Sequence, residues 1–237
     1  MTNEILFAAF LFGGLGITLS ASYFGKLYLY TVMIAITIYI NIAEAKVVEV
    51  FGYATTLGTA LFGVLYFATD LLAERYGKKE AFTAVKIGIV ATLLFHLFMQ
   101  GTLAAQVIPD MEGDTFFADF SAAMDGVFTV SLRVVAASLA VYAAIQSLDI
   151  WLFSKIKSWT GEKMLWLRNN GSTMISQGLD TVLFTFAAFY GVMPTEILWE
   201  MVMVGYSFKL IVAACDTGFI YASKRFKALD ETAPKVA

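Results

Sequence analysis

Residues 172–184 read STMISQGLDTVLF and continue into the apolar run 185–193. The combined segment is long enough to cross a bilayer as a helix, yet it carries the ionisable Asp180 and the amide Gln177. A charged side chain at the bilayer centre costs about 2.5–3.5 kcal/mol, so it normally faces a partner, a wet cavity or a ligand. One stripe of this helix collects Thr173, Gln177, Asp180, Thr181 and Phe184. The stretch therefore predicts one wall of a polar cavity inside a membrane bundle.

Composition places the whole chain in the membrane class. Of its 237 residues, 59% are hydrophobic and 15% are charged, and the mean hydropathy is +0.74. A water-soluble domain could not bury so much apolar surface in one core, so the sequence predicts a polytopic membrane protein. No basic patch suggests nucleic acid as a partner. Cys215 lies in an apolar run and is expected to be a small core thiol.

Apolar runs long enough to span a bilayer recur along the chain. They cover residues 5–19, 27–43, 56–72, 82–100, 134–153, 173–193 and 197–221. The sequence therefore predicts an all-α helical bundle with six to seven transmembrane helices, forming one membrane domain over residues 1–237. No Lys or Arg precedes the first run, so we expect a retained helix rather than a cleaved signal peptide.

Charges in the connections predict the orientation of the bundle. Lys and Arg concentrate in residues 75–79, 155–168 and 224–235, whereas the connection 101–131 carries five acidic residues and no basic one. The two kinds of connection alternate, as seven spans require. By the positive-inside rule the C-terminus is expected in the cytoplasm and the N-terminus outside.

The acidic connection 101–131 is too long for a tight turn. It contains four phenylalanines, Phe116, Phe117, Phe120 and Phe128. We expect part of it to lie along the outer membrane interface, where it could act as a lid. A partly ordered loop is the alternative.

Two further spans carry polar stripes. In the fifth span the stripe consists of Ser138, Tyr142, Gln146 and Asp149, and in the last span Tyr206, Lys209, Ala213 and Asp216 fall on one line. The stripe of the fifth span can face the stripe at residues 173–184. Because a mid-span lysine needs a counter-ion, we predict that Lys209 pairs with Asp180. The alternative is an ion pair with a purely structural role.

Other polar residues lie near the ends of spans. Asp70 could cap a helix, pair with a basic neighbour or serve function, whereas Glu74 and Arg75 at the helix edge are expected to be solvated. Arg133 lies off the polar stripe of its helix and is interpreted as an ion-pair partner or a loop anchor. His96 is interpreted as a hydrogen-bonded structural residue, with a proton carrier as the alternative.

Motifs for metal binding, nucleophilic catalysis or nucleotide binding are absent from the sequence. We therefore expect neither an enzyme nor a cofactor or metal. Carboxylates accept N–H groups in pairs, amides both donate and accept, and aromatic rings offer stacking faces. The predicted cavity thus suits a neutral or cationic, flat solute that is rich in hydrogen-bond donors.

The order of four motifs adds a family resemblance. They are FATDLLAERYG (67–77), RVVAAS with QSLD (133–138 and 146–149), ST with DT (172–173 and 180–181) and YSFK (206–209). In this order the motifs resemble the queuosine precursor transporter family, which was earlier labelled as vitamin uptake transporters. The similarity covers residues 27–226, and the first span appears as an addition to the six-helix core of that family.

The resemblance implies a multi-pass inner-membrane carrier of the 7-deazaguanine bases preQ0 or preQ1 that works without an ATPase. A guanine-like edge presents an N1–H and an exocyclic amine, which one carboxylate accepts together. On this basis Asp180 and Asp70 are the first candidates for the base edge. The other candidates are the amides Asn41, Gln146 and Gln177, the motif residues Arg133, Asp149 and Lys209, and the rings of Tyr142, Phe184 and Tyr206.

The sequence leaves other modes of action open. The first is a secondary carrier that is driven by the substrate gradient or by protons, with a carboxylate or His96 as proton carrier. The second is a binding subunit for a vitamin or purine-like solute that needs a separate ATP-driven module and docks through the small-residue faces 9–13 and 59–63. These faces would also allow a homodimer. A membrane enzyme or scaffold is the third.

Overall fold

Each predicted apolar run lies mostly within a helix of the computed structural model, which describes residues 2–44, 46–105, 115–129, 132–161 and 163–232. In chain order the elements are α1 (Thr2–Phe24), α2 (Lys26–Ala43), β1 (Val47–Val50), β2 (Tyr53–Thr56), α3 (Leu57–Arg75), α4 (Lys78–Leu103), α5 (Thr115–Phe128), α6 (Leu132–Thr160), α7 (Leu165–Phe189), α8 (Thr195–Ser223) and α9 (Leu229–Thr232). The predicted helical membrane bundle is confirmed.

Among the described residues, six helices are long and apolar enough to cross a membrane, namely α1, α2, α3, α4, α6 and α8. The 25-residue helix α7 is long enough as well, but its polar residues lower its hydropathy. It packs between α6 and α8, and its buried face carries most of the polar groups. The polar face of α7 is thus directed into the bundle, while Ile175, Leu179 and Leu183 on its other side are exposed.

The long helices alternate in direction. At one end Asn3 Nδ2 of α1 donates to the backbone oxygen of Glu49 in the hairpin, and we call this the hairpin end. At the other end Lys26 at the start of α2 pairs with Glu80 at the start of α4, 3.4 Å apart. This basic end also gathers the predicted basic segments, because Lys157, Arg168 and Lys224 all contact Glu74 of α3. Which end faces the cytoplasm stays a prediction.

The hairpin between α2 and α3 was not predicted. Strands β1 and β2 pair antiparallel, with Val47 opposite Thr56 and Val50 opposite Tyr53. Both turn residues, Phe51 and Gly52, have positive φ, at 53° and 81°, as a two-residue hairpin turn requires. Glycine is the usual residue for such a turn, whereas phenylalanine rarely adopts this conformation, so the sequence gives little signal here.

Helix α3 lies at the centre of the bundle. It contacts α1, α2, α4, α6, α7 and α8, and nearly all of its side chains are buried. Helix α1 is fully integrated, because Leu15 is buried and Phe7 packs against Phe208 of α8 with ring centroids 5.5 Å apart. The additional first span is therefore part of the core packing.

Close approach of α3 and α8 depends on Gly63, where an added Cβ would overlap the side chain of Val212. We predict that Gly63→Ala lowers the free energy of unfolding by about 1–3 kcal/mol, because overpacking forces the helices apart. Gly13→Ala in α1 is the matched control, since nothing lies within 4 Å of its added Cβ. Thermal unfolding in detergent tests this, and equal losses in both variants would contradict it.

The connection between α4 and α6 contains the helix α5. Its last residue, Phe128, packs against Phe95 of α4 at 5.9 Å and accepts a hydrogen bond from Gln100. The other phenylalanines of α5, Phe116, Phe117 and Phe120, are exposed. Residues 106–114 and 130–131 lie outside the described residues, and a role as a lid or interface helix stays a prediction.

Candidate functional site

The polar faces of α6 and α7 meet through Asp149, on the predicted stripe of α6, and Ser176, which lies beside the predicted stripe of α7. Ser176 Oγ of α7 donates to Asp149 Oδ1 of α6 at 2.7 Å. Gln146 of α6 and Gln177 of α7 are both buried. The two helices form an extensive interface in which these polar groups meet away from the bundle surface.

The predicted ion pair between α7 and α8 is confirmed. Lys209 Nζ lies 2.5 Å from Asp180 Oδ2, and the side chains are only 13% and 7% exposed. The Lys209 ammonium also lies 5.0 Å from the ring centroid of Phe62 on α3, close enough for a cation–π contact. The pair therefore connects α3, α7 and α8 at one level of the bundle.

Helix α3 contributes Asp70 and Thr69 to the same interior. Thr69 Oγ1 lies 3.3 Å from Gln146 Oε1, and Thr173 Oγ1 lies 3.5 Å from Asp70 Oδ2. The alternative that Asp70 caps a helix or pairs with a basic neighbour is wrong, because its carboxylate accepts from the side chain of Thr173 in the interior of α7. Within the described part of the chain, Asp70 forms no ion pair.

Two residues that sequence reasoning did not assign complete the interior. Asn169 Nδ2 of α7 donates to Asp216 Oδ1 of α8 at 2.5 Å, and both residues are buried. Asp216 was on the predicted polar line of α8 without a role. Asn169 lies one turn before Thr173 on the same face, but the predicted span began at residue 173. Extending the stripe by one turn would have found it.

Buried polar atoms without a protein partner concentrate in this interior. The donors are Tyr66 Oη, Tyr142 Oη, Gln146 Nε2 and Gln177 Nε2, and the acceptors are Asp70 Oδ1, Asp149 Oδ2, Asn169 Oδ1, Gln177 Oε1 and Asp216 Oδ2. Buried polar groups are normally hydrogen-bonded, and each one left unpaired costs about 1–3 kcal/mol. Such a concentration on four helices is typical of a site for a polar ligand. We call these residues, together with Asp180 and Lys209, the polar core.

A small cavity adjoins the polar core towards the hairpin end. It has a volume of about 40 Å³, and its lining includes Asn41, Phe62, Thr92, Ser138 and Tyr142. One water molecule needs about 10–15 Å³ of such a cavity, so this one has room for only a few. A planar base is several times larger, so the helices must separate before such a ligand enters.

Some predicted site residues lie outside the polar core. Arg133 donates from Nε to the backbone oxygen of Ala187 and from Nη2 to that of Tyr190, at 2.8 and 2.7 Å, so it anchors the end of α7. The hydroxyl of Tyr206 donates to the backbone oxygen of Met174. Asn41 lines the cavity, and Phe184 packs beside Tyr66 at the edge of the core.

Glu74 and Arg75 are not solvated, and that prediction is wrong. The side chain of Glu74 is 1% exposed and pairs with Arg168 at 2.7 Å, with Lys157 at 2.9 Å and with Lys224. Arg75 donates to the backbone oxygens of Ser223 and Phe226. Because these contacts join α3, α6, α7 and α8, they close the polar core at the basic end. We call Glu74 and its three partners the Glu74 cluster.

Comparison with known proteins identifies the family. A family model described as "Putative vitamin uptake transporter" matches residues 56–223. The chain belongs to this family. The matched region begins at the last residue of β2 and contains α3 to α8, hence all four helices of the polar core. The family resemblance predicted from the motifs is thus confirmed, and the chain is a multi-pass membrane protein of a transporter family rather than an enzyme.

Relatives carry more specific names. The "Probable queuosine precursor transporter" of Bacillus subtilis (strain 168) is 34% identical over 88% of this chain and 88% of its own length. The "Queuosine precursor transporter" of Escherichia coli (strain K12) is 26% identical over 70% of this chain and 71% of its own. A "Probable queuosine precursor transporter" of Haemophilus influenzae is 24% identical, with 77% and 74% covered. No solved structure matches the chain.

Proposed function

We propose that this protein imports queuosine precursors, the 7-deazaguanine bases preQ0 and preQ1, as a secondary carrier. The names of the three relatives support the substrate class. The observation that carries the proposal is the polar core, in which donors and acceptors without protein partners lie together inside a transporter of this family. Within it, the amides Gln146 and Gln177 and the carboxylates Asp180 and Asp70 would pair with the edge of a flat base.

The chemistry of the base suits particular side chains. Its N1–H and exocyclic amine would be accepted by one carboxylate, for which Asp180 is the first candidate and Asp70 the second. The carbonyl oxygen of the base needs a donor, which Gln146 or Gln177 supplies through an unpartnered amide nitrogen. The ring of Tyr142 in the cavity wall offers a stacking face.

Transport further requires that each end opens in turn. The cavity is too small for a base, and the Glu74 cluster holds the basic end together. Opening at the hairpin end would admit the base to the polar core, and parting of the Glu74 cluster would then release it at the basic end. Alternating access of this kind is how secondary carriers work.

Uptake by liposomes that contain only this purified protein tests the proposal. We expect labelled preQ0 and preQ1 to enter and to compete with each other. Binding without uptake would instead indicate a subunit that needs an ATP-driven module. Of the two small-residue faces predicted for docking, 59–63 is occupied by packing of Gly63 against Val212, whereas Ala9 and Gly13 of the other face are exposed. If the protein neither binds nor takes up the two bases, the proposed substrate class is wrong.

Gln177→Leu separates binding from folding. Both polar atoms of the buried Gln177 side chain lack a protein partner, so leucine should fold at least as stably as the wild type. The substrate would lose a hydrogen bond and leave its own group unpaired, which costs about 1–3 kcal/mol, so we expect a 10- to 100-fold loss of affinity. Thr185→Val, at another buried position of α7, is the control. Unchanged affinity in Gln177→Leu would exclude Gln177 from the site.

A further inference from the structure

The end of the polar core that lies nearer the Glu74 cluster carries three carboxyl groups from three different helices. Asp70 comes from α3, Asp149 from α6 and Asp216 from α8, and all three are buried. All three contact one face of α7. Thr173 hydrogen-bonds to Asp70, Ser176 to Asp149 and Asn169 to Asp216. The negative charges of these carboxyl groups repel each other, Asp70 with Asp149 and Asp216, and Asp216 with Asp149.

The basic side chains of the surrounding helices are engaged elsewhere. Arg168, Lys157 and Lys224 contact Glu74, and Lys209 contacts Asp180. The remaining titratable neighbours are Tyr66 on α3, Tyr142 on α6 and Cys215 on α8, none of which is a cation. On α4, Lys86 is exposed and His96 packs against Phe95. Within the described residues, no ion pair neutralises the three carboxyl groups.

At this level of the bundle, the buried polar atoms without a protein partner are acceptors rather than donors. Four acceptor oxygens have no protein donor, namely Asp70 Oδ1, Asp149 Oδ2, Asn169 Oδ1 and Asp216 Oδ2. The unpartnered donors lie towards the hairpin end, because Gln146 precedes Asp149 by about one turn on α6 and Tyr66 precedes Asp70 by one turn on α3. The side chain of Asn169 is fully buried and donates from its amide nitrogen to Asp216, while its amide oxygen has no protein donor.

We propose that Asp70, Asp149 and Asp216 form a proton-binding site that couples import to a proton gradient. This inference rests on the proposed function. A bound proton supplies the missing donor between facing acceptors and removes one of the charges that repel each other at low dielectric.

The coupling step involves only proton binding and release. One carboxylate takes up a proton from the side of entry. At the same time the base occupies the neighbouring part of the polar core towards the hairpin end, where the unpartnered donors lie and which we call the donor-rich level. Both are released on the other side, so one proton crosses with each base. Asp216 lies on the far side of Asp149 from the donor-rich level, so it acts on the proton without contacting the base. Asp70 and Asp149 lie between the two levels and take part in both.

Asp216→Asn tests this separation in liposomes that contain the purified full-length protein. Two readouts are needed: exchange of labelled preQ0 against unlabelled base at equal pH, and accumulation of labelled preQ0 when the outside is one pH unit more acidic. The membrane potential is clamped at zero with valinomycin and equal potassium. With one proton per neutral base, the wild type should accumulate preQ0 about tenfold. Asp216→Asn should exchange like the wild type but accumulate none.

Controls address folding and charge. Asp216→Glu keeps a titratable group and should restore accumulation in part, whereas Asp230→Asn removes an exposed carboxylate at the basic end and should behave like the wild type. If Asp216→Asn does not fold, the wild type alone still decides: a pH-sensitive dye inside the liposomes should report proton entry when unlabelled preQ0 is added outside.

The outcomes separate the two proposals. Wild-type accumulation in Asp216→Asn would overturn the coupling site. Wild-type protein that exchanges preQ0 but shows no response to the pH gradient, or responds only to a sodium gradient, would overturn proton coupling while leaving the proposed function standing. Absence of both exchange and uptake in the wild type would overturn the proposed function itself.

Discussion

Asp180→Asn is expected to reduce uptake of labelled preQ0 or preQ1 by at least about a hundredfold. The carboxylate would accept two N–H groups of the base, and hydrogen bonds to a charged group contribute about 1.5–3 kcal/mol each. Asparagine keeps one acceptor and places an NH2 group against a substrate edge that itself donates. Uptake by liposomes with a fixed amount of inserted protein measures the effect.

The ion pair with Lys209 complicates this experiment, because Asp180→Asn leaves a largely buried ammonium without its counter-ion. Breaking a buried pair by removing one partner costs about 3–5 kcal/mol, so a loss of uptake could reflect misfolding. The double variant Asp180→Asn with Lys209→Met removes both charges and should regain stability. We expect it to remain inactive, since the acceptor for the base is still missing.

Asp180→Glu is the conservative control, because it keeps the charge and displaces it by one methylene. Partial uptake by this variant, together with inactivity of the stable double variant, would support a direct role for Asp180 in recognition. Wild-type uptake by a well-folded Asp180→Asn variant would remove Asp180 from the substrate site. The Asp180 and Lys209 pair would then be structural, which the sequence left open.

Periodicity predicted the parts of the site that lie in the middle of helices. Charged and amide side chains are rare within spans, and helical spacing fixes the face on which they lie. For this reason the inward face of Gln146 and Gln177, which are both buried, and the pairing of Asp180 with Lys209 followed from the sequence. The same argument predicted that the polar face of α7 points into the bundle, although α7 is the least apolar of the long helices.

Spacing alone is less decisive for neighbouring faces. Tyr206 and Lys209 lie three residues apart, so their side chains diverge by about 60° around the helix axis. This difference is enough to direct Lys209 to Asp180 and Tyr206 to the backbone of Met174. A stripe read from sequence therefore includes residues on both sides of a helix contact, and only the packing of α7 against α8 separates them.

The ends of spans were the least predictable. Glu74 and Arg168 lie where a sequence cannot distinguish a solvated helix end from one that is covered by neighbouring helices. Their burial depends on how α3, α6, α7 and α8 converge, which is a property of tertiary packing. Arg168 had been grouped with the other basic residues of its connection, and nothing in its local sequence marks it as the buried one.

The Glu74 cluster leads to the second large expected effect. Glu74→Gln removes the only acidic member of the cluster and leaves Arg168, whose side chain is 0% exposed, without a counter-charge. Because an uncompensated buried charge costs about 3–5 kcal/mol, we expect this variant to be destabilised by that amount. Thermal unfolding of the purified protein in detergent measures the loss.

Two comparisons make the Glu74 prediction specific. Glu80→Gln removes the acidic partner of Lys26 in a pair whose side chains are 27% and 47% exposed, and such pairs contribute about 0–1 kcal/mol. Equal losses in Glu74→Gln and Glu80→Gln would contradict the prediction. In addition, Glu74→Leu combined with Arg168→Met should be less destabilised than either single variant, because the double change leaves neither charge alone in the interior. Such a rescue would show that the ion pair, rather than the volume of the two side chains, determines the stability of the basic end.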